Sequence, residues 1–306
     1  MDKILDMVVI GSGPAGLTAG IYGVRAKLDL VVIEKEMMSG GQILNTYDVD
    51  NFPGFLGIGG FELGQKFREH ADGLGVNFVT DNVREIRVDA DGIKTVVCAE
   101  GSYRARTVVI ASGAHHSLLG APGEKEFTGM GVSYCATCDG ALYRNRVTAV
   151  VGGGDVALGD ALVLSRLCEK VYLIHRRDAF RGARSLQEKV LATENIIPVM
   201  DSVVTEVLGT DRVDRIQVKN VKSGELQELP VSALFVAVGI VPESDAFALV
   251  ERDARGYIRA GEDCCTSIPG IYAAGDVRGK QLRQVITAAA DGANAVESAV
   301  RYLNEN

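Results

Sequence analysis

Short runs of aliphatic and β-branched residues alternate with glycine-rich turns and helical stretches at two places in the chain. The first place has a strand over 7–10, the turn GSGPAG from Gly11, a helix over 17–27 and a strand over 30–33. The second has a strand over 147–151, the turn GGGD from Gly152, a helix over about 158–168 and a strand over 171–174. A strand, a crossover helix and a parallel strand form a βαβ unit. The pattern therefore predicts two βαβ units.

The rest of the pattern extends each unit. Two apolar runs, 104–112 and 233–239, predict strands that return to a central sheet, and the first is followed by Gly113. The segments 76–98 and 199–229 alternate and contain turn signals, which predicts small antiparallel sheets. A buried strand is expected over 271–274 and a helix over 281–303. The predicted fold is α/β, with two Rossmann-like, three-layer ββα nucleotide-binding domains, each carrying a small antiparallel sheet.

Both glycine turns have the spacing of a dinucleotide site. The first glycine permits a tight turn, the second lets backbone approach a pyrophosphate, and the third position stays small so that helix and strand can pack. The N-terminus of the following helix attracts the anion. The candidate binding residues are Gly11, Gly13, Pro14, Ala15 and Gly16 in the first turn, and Gly152, Gly154 and Asp155 in the second. The alternative is an ordinary βαβ turn without a ligand.

The two units differ at the position where a ribose is recognised. Glu34 lies 23 residues after Gly11, and a carboxylate there accepts hydrogen bonds from ribose hydroxyls. The equivalent position in the second unit begins a basic cluster that consists of His175, Arg176, Arg177 and Arg181. Guanidinium groups bind a 2′-phosphate, which a carboxylate would repel. The first unit is therefore interpreted as an FAD site and the second as an NADPH site; the alternative is a solvated basic patch.

Composition narrows the function classes. The 306-residue chain has 40 acidic and 32 basic residues and a net charge of −8, which disfavours non-specific binding to nucleic acid. No apolar run approaches the ~18 residues of a membrane helix. The N-terminal segment carries acidic residues and enters a strand directly, unlike a signal peptide. Six cysteines in such a chain indicate reduced thiols and a cytoplasmic location.

The segment Cys135-Ala136-Thr137-Cys138 is the most specific chemical signal. Two cysteines at this spacing at the start of a helix can form a reversible disulfide, and a helix N-terminus lowers a thiol pKa. The alternatives are half of a zinc site, for which the sequence offers no second pair of ligands, and a merely structural pair. We expect no metal. Cys98 and Cys168 are interpreted as small core residues, and the neighbours Cys264 and Cys265 have no assigned role.

Taken together, the motifs resemble the low-molecular-weight bacterial thioredoxin reductases over essentially the whole chain. The segments that carry the resemblance are CATCDG from Cys135, HRRDAFR from His175, Gly40-Gly41-Gln42, Phe52-Pro53-Gly54, Ala274-Gly275-Asp276-Val277 and Arg283-Gln284. The resemblance implies a homodimeric flavoprotein that passes electrons from NADPH through FAD and a Cys135–Cys138 disulfide to thioredoxin. It implies an FAD domain over 1–113 and 242–306, and an inserted NADPH domain over 114–241 that rotates during the reaction.

The resemblance also implies individual roles. Cys138 would face the flavin, Cys135 would attack the thioredoxin disulfide, and Asp139 would be the acid/base, although it could also be a helix-cap residue. Asp276 would bind the ribityl chain, and Gln42 and Gln284 would lie near the isoalloxazine. The further flavin-site candidates are Gly41, Gly113, Gly275 and Arg283.

One departure and several rival classes remain. The second turn continues with Gly159-Asp160, where the family usually has paired acids, and Gly159 removes a carboxylate that could contact the nicotinamide ribose. The flavoprotein subunit of an alkyl-hydroperoxide reductase would carry an N-terminal extension. A ferredoxin–NADP reductase would lack the cysteine pair, and a flavin dithiol oxidase would lack the arginine cluster. A redox-sensing regulator would keep the flavin and the cysteines but turn over slowly.

Overall fold

A computed structural model of the chain describes residues 3–46, 49 and 51–306. It divides into two compact units. Unit 1 comprises Met1–Leu44, Phe52–His115 and Val241–Asn306, and unit 2 comprises Asn45–Asn51 and His116–Ile240.

The secondary structure alternates strands and helices in both units. The strands are β1 (Ile4–Ile10), β2 (Leu30–Glu34), β3 (Phe78–Thr80), β4 (Val83–Val88), β5 (Lys94–Cys98), β6 (Ser102–Ile110), β7 (Ala114–His116), β8 (Val132–Ser133), β9 (Val147–Val151), β10 (Lys170–Ile174), β11 (Ile196–Val199), β12 (Ser202–Gly209), β13 (Val213–Asn220), β14 (Leu226–Pro230), β15 (Ala233–Val236), β16 (Ile240–Pro242) and β17 (Ile271–Ala273). The helices are α1 (Pro14–Arg25), α2 (Gly60–Gly73), α3 (Ala136–Asp139), α4 (Asp155–Ser165), α5 (Arg184–Leu191) and α6 (Val285–Glu305).

Unit 1 is built on one seven-stranded sheet with the order β3-β2-β1-β6-β5-β4, and β17 also pairs with β6. The long strand β6 changes partners along its length. Its first half pairs antiparallel with β5, and its second half pairs parallel with β17. The antiparallel strands β5 and β4 therefore extend the parallel sheet instead of forming a separate one.

Two helices of unit 1 pack against each other as well as against the sheet. Leu17 and Ala19 of α1 and Ala295 and Ala299 of α6 are fully buried in one cluster with β1 and β2 residues. The approach of these helices requires Gly292, because a Cβ there would overlap the Ala15 carbonyl oxygen. This packing holds the first turn of α1 against α6.

Unit 2 has a five-stranded parallel sheet with the order β11-β10-β9-β15-β8 and a separate three-stranded antiparallel sheet, β12-β13-β14. Buried Val151 and Leu234 face the antiparallel sheet, and buried Val150 and Phe235 face α3 and α4. Strands buried on both faces read as continuous apolar runs, which is why 147–151 and 233–236 are so apolar. The predicted α/β fold class is confirmed.

Both ends of α1 and of α4 differ from the expected boundaries. α1 begins at Pro14 and α4 at Asp155, each three residues before the predicted start, so the end of each glycine motif lies inside the helix. Proline at the first helical position is preorganised for this role, because its ring holds φ near −65°. The helices also end earlier, at Arg25 and Ser165. Cys168 therefore lies beyond the end of its helix.

Candidate functional site

The glycine turn of unit 1 is closed on two sides and open on the third. Gly11 has φ of 99°, and a Cβ there would overlap the Ala111 carbonyl oxygen. A Cβ at Gly16 would overlap the Gly11 carbonyl oxygen. At Gly13, by contrast, a Cβ would meet only backbone atoms of Gly40 and Gly41, 4.0 Å away. Gly11 and Gly16 therefore close the turn, and Gly13 leaves the backbone accessible to a ligand.

The first turn of α1 suits an anion. Gly13 is its N-cap and makes no side-chain hydrogen bond, Pro14 occupies the first helical position, and no acidic residue lies in the first turn. The N–H groups at a helix start carry partial positive charge and need acceptors. Pro14 has no N–H, so Ala15 and Gly16 supply the donors.

Glu34 is held at the end of β2 by the glycine turn itself. Its Oε2 accepts hydrogen bonds from the Ser12 backbone N–H at 2.7 Å and from Ser12 Oγ at 2.6 Å. Its Oε1 accepts the Glu36 N–H at 3.0 Å. The carboxylate is therefore fixed next to the turn, where the sequence predicts a ribose contact.

Two further predicted flavin-site segments lie in unit 1. The Gly40 N–H donates to the Ser12 carbonyl at 2.8 Å, and Gly41 and Gln42 open a short 3₁₀ helix directly after it. Gly113 follows β6 with φ of 76°, and a Cβ there would meet nothing within 4 Å. The structure thus brings Gly41 and Gln42 beside the glycine turn and leaves the surface of Gly113 open.

Gly275 and Asp276 follow β17, and a buried ionic network supports them. Asp291 of α6 accepts the Gly275 N–H at 2.9 Å, two guanidinium hydrogen bonds from Arg278 at 2.8 and 2.6 Å, and a hydrogen bond from Lys280 Nζ at 3.1 Å. Lys280 Nζ also lies 3.4 Å from Asp276 Oδ1. A buried charge is tolerated when it is paired and hydrogen-bonded in this way.

The same network sets the protonation of its carboxyls. Burial acts to raise the pKa of Asp291, but the hydrogen bonds from Arg278 and the charges of Lys280 and Arg278 outweigh it, so the pKa is lowered. Burial raises the pKa of Asp276, and Lys280 and Arg283 only partly oppose it. Asp291 is thus the ionised centre of the network.

Arg283 carries two unsatisfied donors. Its guanidinium lies 4.2 Å from the centroid of the Tyr257 ring, and its buried Nε and Nη2 have no hydrogen-bond partner among the described residues. Buried donors of this kind are rare unless a ligand satisfies them. Gln284 caps α6 through a reciprocal capping box with Thr287. The open Gly13 and Gly113 and the unpaired Arg283 donors together fit a bound dinucleotide of the flavin type.

The glycine turn of unit 2 has a similar backbone arrangement but different side chains packed against it. Gly152 has φ of 155°, and a Cβ there would overlap the Ala237 carbonyl oxygen. A Cβ at Gly153 would overlap the His175 ring, whereas one at Gly154 would meet nothing within 4 Å. Asp155 begins α4, and its Oδ1 accepts the Ala183 N–H at 2.6 Å. Gly154 is therefore the open position of this turn.

His175 and the arginines separate into buried and exposed groups. His175 is 4% exposed, and its Nε2 has no hydrogen-bond partner within the described ranges. Burial lowers the pKa of His175, and the charges of Arg181 and Arg177 lower it further. Arg176, Arg177 and Arg181 are exposed and pair with no acidic side chain of the described residues. Arg181 is held at the turn because its N–H donates to the Gly153 carbonyl at 2.7 Å.

Asp160 lies in the second turn of α4, where the family usually has paired acids. Its side chain is partly buried, and burial raises its pKa to about 7. Gly159 beside it has open space where a Cβ would be. The surface near the start of α4 therefore carries less negative charge at neutral pH than the sequence alone indicates.

Cys135 and Cys138 form a disulfide with a Cα–Cα separation of 5.3 Å. Cys135 is the N-cap of α3, and its sulfur accepts the Cys138 N–H at 3.2 Å. Both cysteines are half-buried. Two cysteines within one helical turn can be bridged without moving the backbone.

Asp139 ends α3 next to the disulfide. Its Oδ2 accepts a hydrogen bond from Ser133 Oγ at 2.6 Å, and Ser133 Oγ accepts the Cys135 N–H at 3.1 Å. The structure thus connects the carboxyl predicted as the acid/base to the backbone of the first cysteine through one hydroxyl.

The other cysteines are free thiols. Cys98, Cys168 and Cys264 are buried, and burial raises the pKa of Cys264 to about 12. Cys265 is exposed, and the partial desolvation of its thiol, together with the charge of Asp263, raises its pKa. Low thiolate character makes both poor nucleophiles. Within the described ranges, no cluster of His, Cys, Asp or Glu could hold a metal ion, and no helix is long and apolar enough to cross a membrane.

Sequence reasoning missed three features of these sites. Ser133 carried no signal, because serine before a cysteine motif is common. The Arg278–Asp291–Lys280 network is distant in sequence, although a single acid at Asp291 within the small residues of α6 was a usable hint. The packing of His175 under Gly153 could not be foreseen, because it depends on the curvature of the turn.

Comparison with known proteins reveals extensive similarity. The family model described as pyridine nucleotide-disulphide oxidoreductase matches residues 5–292. Thioredoxin reductase from Listeria innocua is 42% identical over 306 residues, covering 99% of this chain and 95% of the relative. Thioredoxin reductase from Treponema pallidum is 40% identical and covers 99% of each chain. The crystal structure of thioredoxin reductase from Streptococcus pyogenes superposes with a TM-score of 0.95 at 40% identity and covers 100% of each chain.

Proposed function

Since the chain belongs to the pyridine nucleotide-disulphide oxidoreductase family, and within it to the thioredoxin reductases, we propose that it reduces thioredoxin with electrons from NADPH, carried through FAD and the Cys135–Cys138 disulfide. The observation that carries the proposal is the disulfide, which lies in the same unit as a glycine turn flanked by exposed arginines that pair with no acidic side chain of the described residues. The enzyme is an oxidoreductase.

FAD is assigned to unit 1. The residues that would hold it are the turn residues Gly11, Gly13, Pro14, Ala15 and Gly16, together with Glu34, Gly41, Gln42, Gly113, Gly275, Asp276, Arg283 and Gln284. When bound, it would accept a hydride from NADPH and deliver two electrons to the disulfide. Glu34 would orient the adenosine ribose, the start of α1 would bind the pyrophosphate, and Arg283 would satisfy its two free donors.

NADPH is assigned to unit 2. Gly152, Gly154 and the start of α4 would approach the pyrophosphate, and the exposed Arg176, Arg177 and Arg181 would bind the 2′-phosphate. Asp155 would order the turn through its bond to Ala183, and His175 would support Gly153 from below.

The cysteines carry the exchange with the protein substrate. Two electrons and two protons convert the Cys135–Cys138 disulfide to a dithiol. The Cys135 thiol would give its proton to Asp139 and attack, as the thiolate, one sulfur of the thioredoxin disulfide. This forms a mixed disulfide and releases the other sulfur as a thiolate, which Asp139 would protonate. The Cys138 thiol would then give its proton to Asp139 and attack the Cys135 sulfur. This restores the disulfide and releases the second thioredoxin sulfur as a thiolate, to which Asp139 would pass that proton.

Separate cysteine variants test the proposal. We expect Cys138→Ser to abolish thioredoxin turnover, while NADPH still bleaches the flavin, because hydride transfer needs no thiol. We expect Cys135→Ser also to abolish turnover and to allow a long-wavelength charge-transfer band from Cys138. The measurements are steady-state turnover with thioredoxin and anaerobic flavin spectra.

The matched control is Cys265→Ser, which removes an exposed thiol outside the pair and should leave turnover unchanged. Substantial thioredoxin turnover in either single variant of the pair would contradict the proposal. So would a purified wild-type protein that is colourless and does not take up added FAD.

We also propose that the protein is a cytoplasmic homodimer. The family resemblance implies the dimer, and the free thiols outside the pair suit a reducing compartment. Sedimentation equilibrium of the holoenzyme tests the dimer, and fractionation of the source cells tests the location.

A further inference from the structure

Ser133 is a buried hydroxyl between the carboxyl of Asp139 and the backbone of Cys135. It is 6% exposed and ends the short strand β8, which pairs with β15 opposite Phe235. The sheet therefore fixes the serine backbone, and the redox segment begins two residues later. All of these residues belong to unit 2.

Hydrogen bonding at Ser133 has a defined direction. The hydroxyl has one proton, and the 2.6 Å contact identifies Asp139 Oδ2 as its acceptor. The oxygen lone pairs remain available for the Cys135 N–H, which donates at 3.1 Å. Both bonds can exist together, so one hydroxyl fixes the carboxyl plane and the first cysteine relative to each other.

We propose that Ser133 is a positioning residue for proton transfer at the cysteine pair, acting through Asp139. Its hydroxyl occupies Oδ2 in both protonation states of the carboxyl, so the transferable proton resides on Oδ1. Asp139 gives that proton to the thioredoxin thiolate released when Cys135 attacks, and it regains one from the Cys138 thiol as Cys138 attacks Cys135. The inference rests on the proposed function.

Removing the Ser133 hydroxyl should raise the pKa of Asp139. A donor to a carboxylate stabilises its ionised form, so the loss of Ser133 Oγ makes Asp139 hold its proton more tightly. The part of the pH–rate profile that reports the ionisation of Asp139 therefore moves to higher pH. The direction is the same whether Asp139 acts as the acid or as the base. Turnover with thioredoxin falls on the order of 10- to 100-fold, because a hydrogen bond to a charged group is lost.

The experiment uses the FAD-loaded full chain and compares Ser133→Ala with wild type. The expected result is an Asp139 limb raised by about one pH unit, a lower kcat for thioredoxin, and unchanged bleaching of the flavin by NADPH. Ser165→Ala is the control, because its hydroxyl donates to the Leu162 carbonyl within α4 and its loss should change none of these.

Two further comparisons separate positioning from structure. Ser133→Thr keeps the hydroxyl and should keep the pH–rate profile, whereas Ser133→Val, whose side chain has the shape of threonine without the hydroxyl, should shift it. This contrast can be measured even if Ser133→Ala folds poorly. In a double-mutant cycle, Ser133→Ala should add no loss to Asp139→Asn. The inference is overturned by coincident Thr and Val profiles, additive losses, or a Ser133→Ala profile equal to wild type. A wild type that does not reduce thioredoxin overturns the proposed function instead.

Discussion

The two glycine turns share a backbone frame and differ in what stands at the end of the second strand. Gly11 donates its N–H to Ile33 at 2.7 Å, and Gly152 donates its N–H to Ile174 at 3.0 Å, so the turns leave their sheets in the same way. In unit 1 the strand ends in Glu34, whose carboxylate binds Ser12. In unit 2 the next residue is His175, whose ring lies against Gly153.

This difference shows how one frame can serve two nucleotides. In unit 1 the second residue of the turn is Ser12, which donates hydrogen bonds to the Glu34 carboxylate at the strand end. In unit 2 the second residue is Gly153, which leaves room for the His175 ring at the strand end. In unit 2 His175 takes the position of the carboxylate, and the segment after it carries exposed arginines. The backbone sets the conformation of the turn, and one or two side chains at the end of the following strand set the ligand preference.

The largest expected effect comes from breaking the frame in unit 1. Gly11→Ala should abolish FAD retention and cost about 3 kcal/mol or more of stability, because it combines a strained φ with overlap on Ala111 O. Gly152→Ala should leave the protein yellow but disable NADPH oxidation. FAD-to-protein absorbance ratios and thermal unfolding check the Gly11 variant, and the absorbance ratio with the rate of NADPH oxidation checks the Gly152 variant.

Gly92→Ala is the control for the Gly11 substitution. It has a similarly left-handed φ of 79° but open space around a Cβ, so it should cost only about 1 kcal/mol and keep FAD. If Gly11→Ala behaved like Gly92→Ala, overlap with Ala111 would not define the turn.

The next effect concerns the rim of unit 2. Arg177→Ala should raise the KM for NADPH by about 10- to 150-fold and leave that for NADH nearly unchanged, because one charge-assisted phosphate contact is lost. Arg184→Ala is the matched control, since this exposed arginine pairs with Glu188 on α5. Equal use of NADPH and NADH by the wild type would remove the basis of the assignment.

The rim of unit 1 should respond in parallel. Glu34→Ala should weaken FAD binding by about 10-fold or more, since Ser12 loses its acceptor and the ribose loses its partner. Titration of the apoprotein with FAD, followed by quenching of flavin fluorescence, gives the affinity. An unchanged Kd would mean that Glu34 only braces the turn.

The packing of His175 under Gly153 gives a smaller effect. Gly153→Ala should destabilise the protein by about 1–3 kcal/mol through overlap with the ring, and His175→Ala should relieve much of that cost. Chemical denaturation of both single variants and the double variant measures the coupling. Additive losses would place the clash elsewhere.

The smallest effect is a pH dependence. Burial lowers the pKa of His175, so the folded protein keeps the ring neutral while the unfolded chain takes up a proton below about pH 6.5. Stability from this group is thus complete above that pH and decreases as pH falls through and below it. The Tm difference between wild type and His175→Gln, followed from pH 8 to about 5.5 by calorimetry, should narrow on acidification; a constant difference would contradict it.

Much of this architecture could be predicted from local pattern, because apolar runs, glycine spacing and the cysteine pair act over short distances. The α/β class and the two βαβ units follow from these signals. The starts of α1 and α4 were misplaced by three residues, since a motif does not reveal where helical hydrogen bonding begins. The change of partner along β6, from β5 to β17, could not be predicted either, because it depends on strands that lie far apart in sequence.

The sequence alone determined which chemical groups are available: two glycine turns, one acid and one basic cluster at strand ends, and a cysteine pair with Asp139. Only the tertiary structure decided how they are used. It placed His175 beneath its turn instead of on the surface, joined Asp291 of α6 to Arg278, Lys280 and the Gly275 turn, and set the Ser133 hydroxyl between Asp139 and Cys135. The amino-acid sequence fixes which groups are present and their local spacing, whereas burial and hydrogen-bond geometry arise only when distant segments pack together.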